Sequence, residues 1–152
     1  MENAISFSTK FGWITAAECN NKITSIQFKK GQRRGCSSKI LKKLKKNLVL
    51  YFKGKTDKLT ARLYIQGNSR QKKIWSALKM IKKGNTITYG EIAKKFNVSP
   101  RYVGRVCGEN RHILIVPCHR VIRSDGHLGG YSAKGGISLK KKLLDFENVK
   151  IK

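Results

Sequence analysis

The chain has 152 residues, 39% of them hydrophobic, enough for one ordinary domain or two small ones. Lys and Arg number 34 against 8 Asp and Glu, a formal charge of +26, and self-repulsion of that size makes a polyanion such as nucleic acid the first candidate partner. A uniformly Lys-rich proteome produces the same surface, so charge supports that reading without deciding it. The longest apolar runs, residues 48–52 and 113–118, fall far short of the ~20 residues that cross a bilayer, which excludes a helical membrane span. The four cysteines, Cys19, Cys36, Cys107 and Cys118, form no C-x-x-C pair, and the Met-Glu-Asn-Ala start has neither a basic region nor an apolar signal core. The expectation is a reduced, cytoplasmic protein that does not associate with membranes.

Residues 5–28 are rich in β-branched and aromatic side chains, broken by Gly12 and the pair Asn20-Asn21. They predict two or three antiparallel strands, with Phe11, Trp13, Ile26 and Phe28 on the buried face. From Ser37 the period changes: Ile40, Leu44, Leu48 and Phe52 recur every four residues, predicting an amphipathic helix that Gly54 stops. The stretch 29–55 carries eleven basic residues and no acidic one, and is read as a solvated helix face. Residues 59–65 alternate as a strand, and Gly67-Asn68-Ser69 is the candidate connection between an N-terminal part, 1–68, and a C-terminal part, 69–152.

The second half reads as helical. Ile74, Leu78 and Ile81 mark one helix ending at Gly84, and residues 89–96 a short second one. A third has clear start chemistry, since Ser99 can cap the free amides and Pro100 fits the first helical position. Val103, Val106, Cys107 and Asn110 share one face, and Arg101, Tyr102, Arg105 and Gly108 the other. Two short helices joined at Asn97-Val98, the second one basic, have the pattern of a helix-turn-helix whose second helix enters a DNA groove, a pattern that ligand-free bundles also show.

The apolar run 113–116 then delivers Pro117-Cys118-His119-Arg120-Val121. A thiol becomes a strong nucleophile at neutral pH when a neighbouring base or cation lowers its pKa, and His119 and Arg120 are both candidates. In an extended segment adjacent side chains point to opposite faces, so Cys118 and His119 would communicate through a bridging water. Taken alone, a cysteine after an apolar run is equally a buried core residue. Cys107, His112, Cys118 and His119 fall within thirteen residues, but adjacent Cys118 and His119 can hardly share one metal, and no metal site or cofactor is expected. His127 is expected on a surface loop.

Pro117-Cys118-His119-Arg120-Val121 resembles the active-site signature of the O6-alkylguanine-DNA alkyltransferase family. Tyr51-Phe52-Lys53-Gly54, Ile74-Trp75 with Leu78, Tyr89-Gly90-Glu91-Ile92-Ala93 and Ser99-Pro100-Arg101-Tyr102-Val103-Gly104 resemble further segments of that family. Downstream, Gly129-Gly130-Tyr131-Ser132 and Leu143-Leu144 with Glu147 resemble its binding loop and final helix. The likeness is close over 71–149 and loose before. It implies an α+β fold, with a small N-terminal antiparallel sheet and a helix (ribonuclease H-like) before a winged-helix-like domain containing the helix-turn-helix. It also implies single-turnover repair of duplex DNA by a monomer, which turns out an O6-alkylguanine, and by extension an O4-alkylthymine, and moves the alkyl group irreversibly to Cys118.

By the same resemblance His119 is the water-mediated base, Glu147 its carboxylate, Tyr89 the residue assisting guanine departure, and Asn110 the tie between recognition helix and active-site segment. Arg101 would fill the gap in the DNA, with Ser99, Tyr102, Gly104, Arg105 and Ser124 at the DNA surface, and Val121, Tyr131 and Ser132 would line the base pocket. The chain departs from the family at Asn110-Arg111 and Ile81-Lys82, where proline is usual at the second position, and in the long loop 133–136. Two rival readings, a DNA-binding module without transfer and a thiol hydrolase, differ in needing no cysteine and in turning over repeatedly.

Overall fold

A computed structural model describes residues 2–131, 133 and 135–151. The chain divides into two compact units, Met1–Ile65 with Arg111–Ile115, and Gln66–Asn110 with Val116–Lys152.

In the first unit, strands β1 (Asn3–Thr9), β2 (Gly12–Cys19) and β3 (Lys22–Gln27) form an antiparallel sheet in sequential order. Both connections are two-residue turns. Gly12 sits at φ +117° and Asn20 and Asn21 at +52° and +62°, positive values that glycine and asparagine adopt at least cost. Helix α1 (Lys39–Phe52) starts on Ser38, whose hydroxyl accepts from the Leu41 amide, and ends before Gly54, at φ +73°. Its buried stripe is Leu41, Leu44, Leu48, Tyr51 and Phe52, packed on the sheet residues Ile14, Ile23 and Ile26. The exposed lysines cover the other side, as read from the sequence.

Two expectations fail here. Trp13 is exposed rather than buried, with the Lys30 ammonium 4.8 Å from its ring, and Phe11 leans on Phe52 with ring centroids 5.2 Å apart. At the start of β2 the inward positions are taken by Ile14 and Ala16, one residue out of register with the expected face. Residues 59–65 make no strand. Only Leu63 bridges to Ile23, the Ile23 amide donating to the Arg62 carbonyl at 2.7 Å. The apolar run reaches the same sheet at the other end, where Ile26 donates to the Arg111 carbonyl and Ile113 donates to Ile26.

In the second unit, α2 (Ser69–Lys79) opens with a capping box: Asn68 accepts from the Gln71 amide and the Gln71 side chain accepts from the Asn68 amide, both at 2.8 Å. It ends at Lys79, five residues before the expected Gly84, which instead serves a following turn at φ +89°. Strand β4 (Ile87–Thr88) leads into α3 (Tyr89–Phe96), and Asn97, left-handed at φ 54°, turns the chain into α4 (Pro100–Gly108), capped by Ser99. The helix-turn-helix pattern is therefore present with the expected boundaries. Trp75 on α2 donates its indole N–H to the Val106 carbonyl at 3.0 Å, locking α2 to α4. A 3-10 turn at Cys118–Arg120 replaces the expected extended segment, β5 (Val121–Ile122) pairs parallel with β4, and α5 (Gly136–Phe146) closes the unit. The observed class is α+β.

The capping box makes a local test. Asn68→Ala should lower the stability of the chain by about 1 kcal/mol, read as a lower urea midpoint at unchanged slope.

Candidate active site

The turn that carries Cys118 is fixed from three directions within the second unit. Asn110, just past the end of α4, donates its side-chain amide to the Val116 carbonyl at 2.8 Å and to Cys118 Sγ at 3.3 Å. β5 holds the following residues against β4. Behind the turn, Glu147 stands at the end of α5 and is 3% exposed.

Glu147 organises this buried side. His119 Nε2 lies 3.0 Å from Glu147 Oε2, while Arg120 donates from Nε to Oε1 at 2.9 Å and from Nη2 to Oε2 at 2.8 Å. Burial alone would raise the carboxyl pKa, but the bonds from Arg120 and His119 together outweigh it and hold the group well below the usual carboxylate range. An ionised Glu147 can only accept a hydrogen bond, so Nε2 carries the proton and the neutral His119 ring leaves Nδ1 as a bare acceptor. Burial pushes the His119 pKa down, against the pull of Glu147, and favours that neutral form. Nδ1 is buried and has no partner among the described residues.

Cys118 itself is buried, and desolvation pushes its thiol pKa up, with the Asn110 bond and the charge of Lys140 working the other way. This corrects the role foreseen for Arg120, whose guanidinium is spent on Glu147 and on the Ile81 carbonyl at 2.7 Å. The cation near the sulfur is Lys140, which sequence reading missed. It lies inside α5 with no exposed surface, its ammonium donating to the carbonyls of Val121 at 2.6 Å and Gly130 at 3.0 Å and to the Tyr89 hydroxyl at 3.3 Å. Burial draws its pKa down to about 8. Lys140 sits in the run Lys140-Lys141-Lys142, and only its spacing from Leu139, Leu143 and Leu144 marks it as inward.

In front of Cys118 opens a cavity of about 710 Å³ walled by Tyr89, by Arg101, Gly104 and Cys107 of α4, and by Gly130 and Tyr131. Ser124 also lines it. Burial raises the Cys107 thiol to about 12, which keeps it protonated and inert. Val121, expected at the pocket, is instead fully buried and is not among its lining residues. Ser132 lies outside the described residues. Arg101 and Arg105 are exposed, Tyr102 is half-buried with the Arg105 guanidinium 5.1 Å from its ring, and the Ser99 hydroxyl is taken up by its cap. His127 is exposed beside Asp125, as expected. His112 donates from Nε2 to the Ile23 carbonyl at 3.0 Å within the first unit, and among the described residues no three His, Cys, Asp or Glu are grouped to hold a metal.

The second unit thus brings together a buried thiol, a His–Glu pair in the same turn and at the end of α5, and a cavity walled by α4, the second helix of the α3–α4 pair. Residues 69–149 match the model of the 6-O-methylguanine DNA methyltransferase DNA-binding domain. A methylated-DNA--protein-cysteine methyltransferase of Metallosphaera sedula is 35% identical over 149 residues, covering 97% of this chain and 94% of that protein. The crystal structure of Mycobacterium tuberculosis O6-methylguanine methyltransferase superposes with a TM-score of 0.85 at 30% identity, over 97% of this chain and 93% of that one. A Mycobacterium tuberculosis structure in complex with DNA gives 0.83 at 30% identity, over 95% and 92%. The chain belongs to the 6-O-methylguanine DNA methyltransferase family.

The buried carboxylate gives a stability test. Its folded pKa lies below the ordinary 4.5, so its contribution is complete above that pH and is lost as pH falls through the depressed value. Glu147→Gln should therefore be less stable than the parent at neutral pH by about 3 kcal/mol, since Arg120 keeps a buried charge without its partner. The gap should narrow as pH falls from about 4.5 toward the depressed value, read from melting temperatures of both proteins across the acid range.

Proposed function

We propose that the chain repairs duplex DNA by transferring an alkyl group from O6-alkylguanine, and by the same chemistry O4-alkylthymine, to Cys118 in a single irreversible turnover. The observation that carries this is the buried Glu147–His119 pair in the same turn as Cys118, which lines the cavity, with Asn110 donating to the Cys118 sulfur. Since O6 lies inside the base stack, the nucleotide is turned out into the cavity, and Arg101 on α4 fills the gap it leaves. Ser99, Tyr102, Gly104, Arg105 and Ser124 face the duplex. Gly104 has room for close approach, because an added Cβ would meet nothing nearer than Tyr89 at 4.0 Å.

Transfer needs a thiolate in a place where burial disfavours one. The Cys118 proton passes through a water to His119 Nδ1, whose imidazolium Glu147 stabilises. The sulfur attacks the alkyl carbon, the S–C bond forms as the C–O6 bond breaks, and guanine departs with the electron pair. Because Lys140 donates to the Tyr89 oxygen, the Tyr89 proton is left to face the cavity, where the departing guanine can take it. The finer architecture, a ribonuclease H-like N-terminal domain over 1–68 and a winged-helix-like domain over 69–152, accords with the three-stranded sheet and α3–α4 pair. A cytoplasmic monomer fits a chain in which no described helix is long and apolar enough to cross a membrane.

Limiting protein mixed with excess O6-methylguanine duplex should consume about one equivalent and stop, the methyl group residing on the peptide containing Cys118. Cys118→Ser should still bind DNA and transfer nothing. Multiple turnovers, or methyl on Cys19, Cys36 or Cys107, would overturn the reading. Arg101→Ala should slow repair of duplex at least tenfold while leaving reaction with free O6-benzylguanine near wild type, because only a duplex has a gap to fill. Equal losses on both substrates would remove Arg101 from that role.

A further inference from the structure

Among the described residues two buried side-chain polar atoms have no hydrogen-bond partner, His119 Nδ1 and the Tyr131 hydroxyl. Native chains rarely leave such atoms unsatisfied, and two in one site indicate a shared partner from solvent or substrate. The Tyr131 ring lines the cavity in front of Cys118, yet its hydroxyl is buried, so it points inward and not to the cavity mouth.

The Tyr131 phenol is raised well above its ordinary value, first by burial and then by the charges of Cys118 and Glu147. Tyr131 and Cys118 line the same cavity, and His119 follows Cys118 in the turn, so the two unpartnered atoms belong to the residues that surround the sulfur. A phenol this strongly held in its neutral form is a donor throughout neutral pH.

Resting on the alkyl-transfer reading, we propose that Tyr131 is a positioning residue of the thiol-activation step, its hydroxyl donating to the water that links Cys118 Sγ to His119 Nδ1. That water accepts from the Cys118 S–H and from Tyr131 and donates to Nδ1, three bonds of the number buried waters commonly make. When the thiol ionises, its proton goes to the water and a water proton goes to Nδ1. The S⁻ then accepts from the same water, and Tyr131 keeps its own proton. The other titratable groups around the sulfur are Tyr89 of α3, Cys107 of α4, Lys140 of α5, and His119 and Arg120 of its own turn with Glu147 behind them. The Tyr131 hydroxyl is a buried neutral oxygen donor without a hydrogen-bond partner among the described residues.

The test is the pH profile of Cys118 alkylation by free O6-benzylguanine, which avoids any effect on DNA docking, together with the ultraviolet thiolate signal of Cys118, taken as the difference from Cys118→Ser. For Tyr131→Phe both midpoints should rise by roughly 0.5–1 pH unit, slowing the reaction about three- to tenfold below the midpoint. Tyr131→Gln, which retains a donor, should stay nearer to wild type and carries the test if the Phe variant melts without cooperativity. Unchanged midpoints in the Phe variant, or equal shifts in Phe and Gln, would overturn the proposal. Wild-type protein that leaves Cys118 unalkylated would instead overturn the alkyl-transfer reading beneath it.

Discussion

Taking a carboxylate out of water costs several kcal/mol unless its charge is matched and its lone pairs are filled, and Glu147 meets that condition with two neighbours in one short turn. The Arg120 guanidinium lies across it with two donors and uses a third on the Ile81 carbonyl, which fixes the segment after α2 to the end of α5. His119 supplies the remaining contact. The Cys118–Arg120 turn follows from this, because residues 119 and 120 must both point back at one carboxylate, which a 3-10 geometry permits and a strand with alternating faces does not. Cys118 is then directed forward, into the cavity, by the same constraint.

That arrangement separates two jobs that share one region. The strong charges, Glu147 and Arg120, neutralise each other behind the turn, and the front is left with groups that are neutral or only partly charged: a thiol raised by burial, a bare imidazole nitrogen, a phenol, and an ammonium whose pKa has been drawn to about 8. A resting thiol in such surroundings is a weak nucleophile, which protects it from adventitious oxidation. Lys140 lies close enough to favour the thiolate electrostatically without an ion pair that would lock it in place.

The chemistry of the site was legible where it depends on short-range order. Pro117 to Val121 stands together in the chain, and the Ser99-Pro100 start of α4 is local chemistry that tertiary packing has no reason to override; Glu147, 27 residues from Arg120, enters only through the family resemblance of its segment. Arg120 was read as a partner for Cys118 because they are near in sequence; its actual partner lies 27 residues away. Lys140 was invisible because its neighbours Lys141 and Lys142 share its identity and face solvent. Trp13 was misplaced since a half-exposed ring covered by a lysine has the same composition as a buried one. Residues 59–65 have a strand's alternation, but pairing is limited to one bridge at Leu63, and alternation alone does not supply a partner edge.

Burial also bears on why the transfer runs one way. The environment that raises the Cys118 pKa does so by penalising a charge on sulfur, and a thioether carries none. Ionisation is thus the uphill part, shared among Asn110, Lys140 and the His119 relay, and alkylation ends in the neutral state that the surroundings favour. Regenerating the thiol would need a second nucleophile to attack a carbon attached to a buried sulfur. The remaining cysteine of the cavity, Cys107, has its own thiol raised to about 12 and holds its proton at neutral pH. On the proposed transfer, the same low-polarity setting that delays the first reaction leaves no ionised thiol among the described cavity residues to reverse it, so one reaction would consume the protein.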